Sequence, residues 1–416
     1  MTPLAPADAD LLDEVQRRTL RYFWDFGHPI SGLARDRSNA PAHDPDNDTI
    51  TIGGTGFALM ALIVGAERGF LPRAAVVERI ATMLGFLERS DHFHGVFPHF
   101  LNGKTGAAIR FSRKDDAADL IETSYLVAGF LAVREYFRGD SPGERLVREK
   151  AAYLAREVEW DAHQKPGGNV LMWHWSPNHG FGMNMEVRGW NECLLAYILA
   201  VGSDEHGVSP ALYHRGWAEG REFRNGHAYY GVELPLGPPF GGPLFFAHYT
   251  FLGIDPRGLV DRYADYFAQN VAHVEVNRRH CIENPNGFTG YGADCWGLTA
   301  SDSDDGYHAH APTNDRGVIS PTAAVSSIPY APEAAMEAIR RFREIDGVWG
   351  EYGFIDAFNL TTGWRAPSFL AIDQGPMIVM IENYRSGLIW RLVMGCPEVR
   401  SALERLGFSA LALAIA

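Results

Sequence analysis

The chain has 416 residues, of which 46% are hydrophobic, and its formal net charge is −14. This length and composition fit one large domain over residues 1–416. The acidic excess argues against nucleic acids and anionic membrane surfaces as partners, because their phosphate groups would repel it. No apolar run reaches the roughly 18 residues of a transmembrane helix, so we expect no membrane insertion.

The N-terminal segment has neither a basic start nor an apolar stretch, so no secretory signal is visible. The sequence as it stands therefore indicates a cytoplasmic protein, or a periplasmic one from which a signal was removed. The four cysteines favour buried free thiols. A disulfide between Cys281 and Cys295 would fit an exported protein.

The predicted elements are helices joined by long connections. Residues 11–26 form an amphipathic helix, in which Leu12, Val15 and Phe26 share one face. Six apolar helices follow, each opened by small or turn-forming residues, near positions 54, 119, 190, 242, 321 and 374. Half-polar helices lie between them, for example at 73–88, 143–159, 259–276, 332–344 and 397–406. Because half-polar helices shield apolar ones from water, the pattern predicts an all-α (α/α)6 toroid.

Long connections rich in Gly, Pro and aromatic residues each precede an apolar helix. They cover 28–52, 91–114, 160–189, 223–241, 277–319 and 346–372. Loops of this length are usually functional. We expect them to gather, with minor β-hairpins, at the N-termini of the inner helices, where the helix dipole favours carboxylates.

An acidic segment leads into the second apolar helix. Asp115, Asp119 and Glu122 have the i, i+4, i+7 spacing that places side chains on one helix face. Carboxylates that enter a buried helix raise one another's pKa, which suits acid–base chemistry on an acetal. The alternative is that Asp115 or Asp116 caps the helix, while Asp119 and Glu122 lie in its first turns and face solvent.

Two further carboxylates open apolar helices. Glu192 follows Trp190 and Asn191, and an indole and an amide are residue types that contact sugars. A capping-box role for Glu192 is the alternative. Asp373 lies at the start of the last apolar helix, where we expect it to be accessible, and Glu382 and Arg385 are expected to form an ion pair.

Aromatic residues in the connections suggest a carbohydrate groove rather than isolated core residues. The candidates for binding sugar are Trp173, Trp175, Trp190, Trp296 and Tyr291, with Trp349 and Trp364 in similar positions. His308 lies in the loop 283–316, whose Asp302–Gly306 segment only weakly matches a calcium loop. No metal-ligand motif is present, so we predict neither a metal nor a cofactor.

Together these segments resemble the glucoamylase-like (α/α)6 family. That family includes glycoside hydrolase family 144, which acts on β-1,2-glucan, and the related domain of cyclic β-1,2-glucan synthases. The matching stretches are DDAADLIETSYLVAGFL (115–131), RGWNECLLAYILA (188–200), GGPLFFAHYTFLGIDP (241–256), ENPNGFTGYGADCWGLTASD (283–302), YHAHAPTNDRGVISPTAAVSSIPYAPE (307–333) and AIDQGPMIVMIENYRSGLIWRL (371–392).

The resemblance implies an inverting glycoside hydrolase whose substrate is a β-glucan or an oligosaccharide, with β-1,2 linkages favoured. It places Asp115, Asp119, Glu122 and Glu192 at positions associated with the reaction centre. We predict that Glu192 is the general acid and that the base is Asp373, Asp119 or Glu122.

Two other functions stay open at this point. Glycosyl transfer or phosphorolysis would need a phosphate pocket, for which Arg110, Arg113 and Lys114 are candidates, although their position favours pairing with the acidic segment. A non-catalytic carbohydrate-binding toroid would use the carboxylates only as helix caps.

Overall fold

The chain is built mainly from α-helices, with short strands in the connections. The computed structural model describes residues 5–39 and 47–409. Its α-helices within those residues are α1 (Pro6–Asp25), α2 (Ile52–Glu67), α3 (Arg73–Leu87), α4 (Leu120–Tyr136), α5 (Pro142–Arg156), α6 (Leu194–Gly202), α7 (Tyr266–Glu283), α8 (Pro321–Val325), α9 (Pro332–Glu344), α10 (Ala371–Arg385), α11 (Leu388–Met394) and α12 (Pro397–Leu406). None of these helices combines the length and the apolar character needed to cross a membrane.

The helices divide into buried and half-buried ones, as the sequence predicts. Helices α2, α4, α6 and α10 are buried along almost their whole length. Helix α2 packs against α4 and α10, α4 packs against α6, and α10 packs against α8. The half-buried helices α1, α5, α9 and α12 pack outside them, on α10, α4, α8 and α6 respectively. Apolar residues therefore line the inner layer, and the polar faces of the outer helices meet water.

Glycines allow α2 and α4 to approach closely. A Cβ atom on Gly56 would lie 2.3 Å from the carbonyl oxygen of Tyr125, and one on Gly129 would lie 2.7 Å from the carbonyl oxygen of Gly56. These distances are too short for any side chain, so glycine is needed on both sides of the contact.

One predicted inner helix, near residue 242, is wrong. The segment forms three short 3₁₀ turns at Pro239–Gly241, Leu244–Ala247 and Thr250–Leu252. Gly241 and Gly242 have φ values of 92° and 79°, which an α-helix does not allow. The segment still connects its neighbours, because Leu195 N donates to Thr250 Oγ1 at 3.3 Å and the ring of His248 meets Ser327 Oγ at 3.0 Å.

Other predicted helix bounds agree to different degrees. The helices at 73–88, 143–159, 332–344 and 397–406 are confirmed as α3, α5, α9 and α12. Helix α7 begins at Tyr266 instead of 259, because the side chain of Asp265 caps it and residues 260 and 265 form a bridge. Helix α6 begins at Leu194 instead of near 190, which leaves Glu192 in the preceding turn.

Short strands lead directly into three inner helices. The strands are β1 (Arg37–Asn39), β2 (Thr49–Thr51), β3 (Phe100–Asn102), β4 (Ala108–Ile109), β5 (Ala118–Asp119), β6 (His174–Trp175), β7 (Arg224–Tyr229), β8 (Val232–Leu236), β9 (Ala300–Ser303), β10 (Gly306–Ala309), β11 (Trp349–Gly350), β12 (Gly353–Phe354), β13 (Phe358–Asn359), β14 (Trp364–Arg365) and β15 (Ser368–Leu370). Strands β2, β5 and β15 end where α2, α4 and α10 begin, and they pair with β3, β6 and β1. The connections are thereby fixed at the N-termini of these inner helices.

All four cysteines are free and buried, as the sequence favours. Cys281 and Cys295 are unpaired, so the alternative of a disulfide between them is not realised. Burial raises the pKa of the Cys295 thiol to about 12, which keeps it protonated and unreactive.

Candidate active site

Asp119 lies at the N-terminus of α4 and is fully hydrogen-bonded. Its Oδ1 accepts the backbone N–H groups of Ile121 (3.1 Å) and Glu122 (3.0 Å) and the indole N–H of Trp173 (2.9 Å). Its Oδ2 lies 3.0 Å from Nδ1 of His99. Burial alone would raise the pKa of Asp119, but the hydrogen bond and charge of His99 lower it. Asp119 is therefore an ionised helix cap and a weak proton acceptor.

Two histidines, which the sequence analysis missed, balance this acidic cluster. Burial alone would lower the pKa of His99, but the charges of Glu122, Asp119 and Asp115 raise it to about 9. The pairing of β5 with β6 places His174 opposite Asp119. Its Nε2 lies 3.3 Å from Asp115 Oδ2 and 3.8 Å from Asp119 Oδ2. The carboxylates are thus held together by imidazoles from two separate connections.

The predicted helix face of three carboxylates is wrong, although the three residues do meet. Helix α4 begins after Asp119, so Asp115 lies in the preceding turn and only Glu122 is within the helix. The basic residues before the segment do not neutralise it as one reading expected. Lys114 Nζ donates to the carbonyl oxygen of Gly182 at 3.1 Å, and Arg113 is exposed.

Glu122 bridges α4 and α2. Its Oε2 accepts the backbone N–H of Gly53 at 2.8 Å. A Cβ atom on Gly53 would lie 2.4 Å from the same oxygen, so the contact requires glycine. Burial, assisted by the charge of Asp119, raises the pKa of Glu122 to about 7. This carboxyl group can therefore gain or lose a proton near neutral pH.

Glu192 is half-buried in the turn before α6. Its backbone carbonyl accepts the hydroxyl of Thr250 at 2.6 Å, which fixes the turn against the 3₁₀ segment. Burial raises the pKa of Glu192 to about 7, with smaller contributions from the charges of Glu122 and Asp119. A partly protonated carboxyl group at neutral pH is what a general acid requires.

Asp373 is buried in the first turn of α10, with 1% of its surface exposed. The expectation that it is readily accessible is wrong, because almost none of its surface is exposed and Asp356 lies beside it. Burial and the charge of Asp356 raise the pKa of Asp373 well above its usual range. The predicted pair of Glu382 with Arg385 is also wrong, since Arg68 binds Glu382 at 2.7 Å and Arg385 binds Asp13.

Tyr249 lies within electrostatic range of carboxylates from the starts of three inner helices. Burial, followed by the charges of Asp373, Glu122 and Glu192, raises the pKa of its hydroxyl well above the usual value. Its ring packs 5.7 Å from that of Tyr125. The N-terminal regions of α4, α6 and α10 therefore contribute acidic groups to the surroundings of one phenol.

Two of the predicted sugar-binding tryptophans lie in the core instead. Trp190 is 3% exposed and packs between Trp217 and Tyr266, and Trp296 is completely buried. Neither ring has a face open to a ligand. Trp173 and Trp175 are partly buried on the connection that carries His174, so they border the carboxylates.

Two exposed aromatic residues near the carboxylates were not predicted. Tyr307, on the β9–β10 hairpin, is 48% exposed, and its hydroxyl end lies close enough to Asp373 and Asp356 for their charges to act on it. Phe111 is 60% exposed, and its ring lies 4.8 Å from that of His99. Only the prediction of hairpins around the site pointed to such residues.

Comparison with known proteins gives three results. The Glycoamylase family model, described as "Putative glucoamylase", matches residues 184–397. An endo-β-1,2-glucanase from Chitinophaga pinensis, solved as a complex with sophorotriose and glucose, is 46% identical, with a TM-score of 0.94 over 99% of this chain and 100% of that chain. A structure from Bacteroides uniformis, described in the same words as the family model, is 54% identical, with a TM-score of 0.94 over the same shares of the two chains. The chain belongs to the glucoamylase-like family.

A curated relative in this family is longer. The exo-β-1,2-glucooligosaccharide sophorohydrolase (non-reducing end) of Parabacteroides distasonis is 42% identical over 422 residues, which include 96% of this chain. The chain spans 58% of the length of that relative. The family resemblance seen in the sequence is therefore confirmed.

The other predicted site residues of this family member have specific partners. Asn191 Oδ1 accepts the backbone N–H of Cys193 at 3.1 Å, so Asn191 caps the turn before α6. The hydroxyl of Tyr291 donates to Asp315 at 2.8 Å, and the ring of His308 lies 2.9 Å from Asp305. These contacts fix the loops that surround the site.

One group in the site has the composition of a metal-binding cluster. Atoms of Asp115, Asp119 and His174 that could bind a metal lie within 4.8 Å of one another. In the structure, the imidazoles of His99 and His174 already lie against the two carboxylates. The absence of a metal stays a prediction.

Proposed function

We propose that the protein is an inverting glycoside hydrolase that cleaves β-1,2-glucan or its oligosaccharides. Two named relatives support the linkage, since one is a β-1,2-glucooligosaccharide sophorohydrolase and the other an endo-β-1,2-glucanase. The observation that carries the proposal for this chain is that Glu192, Glu122 and Asp373 all lie within electrostatic range of the Tyr249 hydroxyl. These carboxyl groups have raised pKa values, as acid–base catalysis at an acetal requires.

Glu192 is proposed as the general acid. Its pKa of about 7 leaves a proton available at neutral pH. The proton passes to the glycosidic oxygen as the bond to the anomeric carbon breaks. In an inverting enzyme, a second carboxyl group on the opposite side of the sugar, about 6.5–9.5 Å away, takes a proton from the attacking water.

Asp373 is proposed as that base. It lies on α10, whereas Glu192 precedes α6, so the two groups approach Tyr249 from different inner helices. Glu122 is the alternative base because its pKa is also about 7. Asp119 suits neither role, since its four hydrogen bonds hold it in the ionised form. We propose instead that Asp119 and Asp115 hold the surrounding side chains of the site in position.

The substrate would lie between the connections. Trp173, Trp175, Tyr307 and Phe111 offer aromatic surface on two sides of the carboxylates, which suits the C–H faces of glucose rings. Arg113 is exposed nearby and is free to reach sugar hydroxyl groups.

The remaining structural expectations belong to the same proposal. We propose that the inner helices, with the 3₁₀ segment in place of one of them, close an (α/α)6 toroid and that residues 1–416 form a single catalytic domain. Packing of α2 against both α4 and α10 supports the closure. A cytoplasmic location, or a periplasmic one after removal of a signal, is tested by cell fractionation.

The test is to incubate the protein with linear β-1,2-, β-1,3- and β-1,4-glucans and with sophorose, and to follow the products by chromatography. We expect products from β-1,2-glucan alone among the three polymers. Release of glucose 1-phosphate only when phosphate is present would indicate phosphorolysis instead. Binding without any product would indicate a carbohydrate-binding protein, and either result would refute the proposal.

A further inference from the structure

A second buried carboxyl group accompanies Asp373. Asp356 lies between β12 and β13, and both residues are 1% exposed. Each carboxyl group is a direct neighbour of the other. Within residues 5–39 and 47–409, one buried oxygen of each, Asp356 Oδ1 and Asp373 Oδ2, receives no N–H or O–H from another group. Two ionised carboxylates in contact without a donor between them repel each other, and a proton held by one of them removes this repulsion.

The position of Asp356 is fixed by its neighbours. Its Oδ2 accepts the backbone N–H of Asp302 at 2.7 Å, and its own N–H donates to Ser368 O at 3.1 Å. Asp302 in turn binds Arg37 at 2.9 Å and the hydroxyl of Ser368 at 2.6 Å. Asp356 is therefore held directly from β9 and β15, and Arg37 of β1 holds Asp302 in place.

Charged and titratable groups surround the pair on every side. Asp302 and Arg37 act on the charges of Asp356 and Asp373, and these two carboxyls in turn act on Tyr22, Tyr249 and Tyr307. Arg37 is the cation among them that lowers the pKa values of both carboxyls, and it already pairs with Asp302 and Asp36. One cation shared among four carboxyl groups does not allow both members of the pair to ionise.

We propose that Asp356 is a positioning residue that shares one proton with Asp373, so that the two carboxyls together form the base of the reaction. This inference rests on the proposed hydrolysis. The pair begins with one proton and a charge of −1. It accepts a proton from the attacking water through Asp373 and becomes neutral, while the water oxygen bonds to the anomeric carbon. The pair releases that proton to solvent after the product leaves.

The pKa values agree with this geometry. Burial and the charge of Asp302 raise the pKa of Asp356 to about 7, and burial and the charge of Asp356 raise the pKa of Asp373 well above its usual range. A pair that titrates as a unit near neutral pH is a much stronger base than an isolated aspartate. A single buried Asp373 that received a hydrogen bond from a neutral donor would ionise at lower pH and accept protons less readily.

The test is the pH profile of the variant Asp356→Asn. The amide keeps the shape of the side chain and can donate to Asp373, but it cannot share a proton. We expect the acidic limb of kcat to move down by at least one pH unit and kcat at neutral pH to fall about 10- to 100-fold, with KM nearly unchanged. An acidic limb at the wild-type position would overturn the proposal.

The matched control is Asp255→Asn. Asp255 is 4% exposed and pairs with Arg257 at 2.6 Å, away from the carboxylates of the site. This change should lower stability while leaving the acidic limb in place. If it moves the limb as far as Asp356→Asn does, the effect is general destabilisation and the proposal fails.

A second measurement does not depend on the variant folding or on the substrate. Wild-type protein labelled with ¹³C only at aspartate carboxyl groups should show two coupled resonances that titrate well above the usual aspartate range. Asp373→Asn should abolish this behaviour. Titration of every labelled carboxyl other than Asp115 below about pH 5 would overturn the shared proton, even if β-1,2-glucan is cleaved. Conversely, the coupled titration without cleavage would refute only the proposed function.

Discussion

Replacing Asp119 with Asn should flatten the dependence of stability on pH above neutrality. The wild-type carboxylate holds His99 in its charged form, and the pKa of His99 is raised from its usual 6.5 to about 9. A raised histidine pKa stabilises the fold fully below about pH 6.5, and this stabilisation is lost as the pH rises through about 9. The difference between the two pKa values corresponds to about 3 kcal/mol of unfolding free energy.

The asparagine at position 119 keeps the hydrogen bonds of the helix cap but removes one negative charge. Its Oδ1 can still accept from the backbone of α4 and from Trp173, so the helix cap survives. The negative charge next to His99 is lost, while those of Glu122 and Asp115 remain. We therefore expect the loss of unfolding free energy between pH 6.5 and 9 to fall from about 3 kcal/mol to about 1–2 kcal/mol.

The assay is urea denaturation at a series of pH values for wild type and variant. Cysteines and tyrosines also change the free energy of unfolding at high pH. These contributions are common to both proteins and cancel when the variant is compared with wild type. The control is Glu159→Gln, which removes a surface pair with His94 in which both side chains are about 40% exposed and should leave the slope unchanged. Identical slopes for wild type and Asp119→Asn would refute the reasoning.

Three further changes test other parts of the structure. Glu192→Gln should lower kcat about 10²- to 10⁴-fold, measured by release of reducing ends, and should leave oligosaccharide binding intact. Arg68→Ala leaves the buried carboxylate of Glu382 without its cation and should cost about 3 kcal/mol of unfolding free energy, measured by urea denaturation. Gly56→Ala should cost about 2–3 kcal/mol because its Cβ meets a carbonyl oxygen of α4 at 2.3 Å, whereas Gly350→Ala, which meets nothing within 4 Å, should be nearly neutral in thermal unfolding.

The sequence predicted the inner and outer helices well because their signal is local. An apolar run such as α4, or an amphipathic run such as α9, has the same pattern whatever its neighbours do. The fourth predicted inner helix has the apolar composition of the others, but Gly241 and Gly242 adopt positive φ values that interrupt a helix.

The site was harder to predict because its contacts cross long sequence distances. His99 and His174 reach Asp119 from connections on either side of it, and nothing in the spacing of the acidic segment indicates them. Asp356 meets Asp373 only after β1 has paired with β15 and the backbone N–H of Asp302 has been brought to it.

Residue type alone also gave a wrong prediction for two tryptophans, which were expected to bind sugar. Trp190 and Trp296 lie in the connections or at a helix start and still pack into the core. The exposed aromatic residues beside the carboxylates are instead Tyr307 and Phe111, which are placed by the pairing of β9 with β10 and by the turn that precedes β5. Exposure of a ring depends on tertiary packing that composition does not encode.

The measurement that tests the central claim most directly is the anomeric form of the first product. Wild-type protein is mixed with linear β-1,2-glucan, and ¹H NMR spectra are recorded within the first minutes, before mutarotation. Inversion by Glu192 and the Asp373 pair predicts that the new reducing end appears first as the α-anomer and then equilibrates. Initial appearance of the β-anomer would contradict an inverting mechanism, and with it the roles assigned to these carboxyl groups.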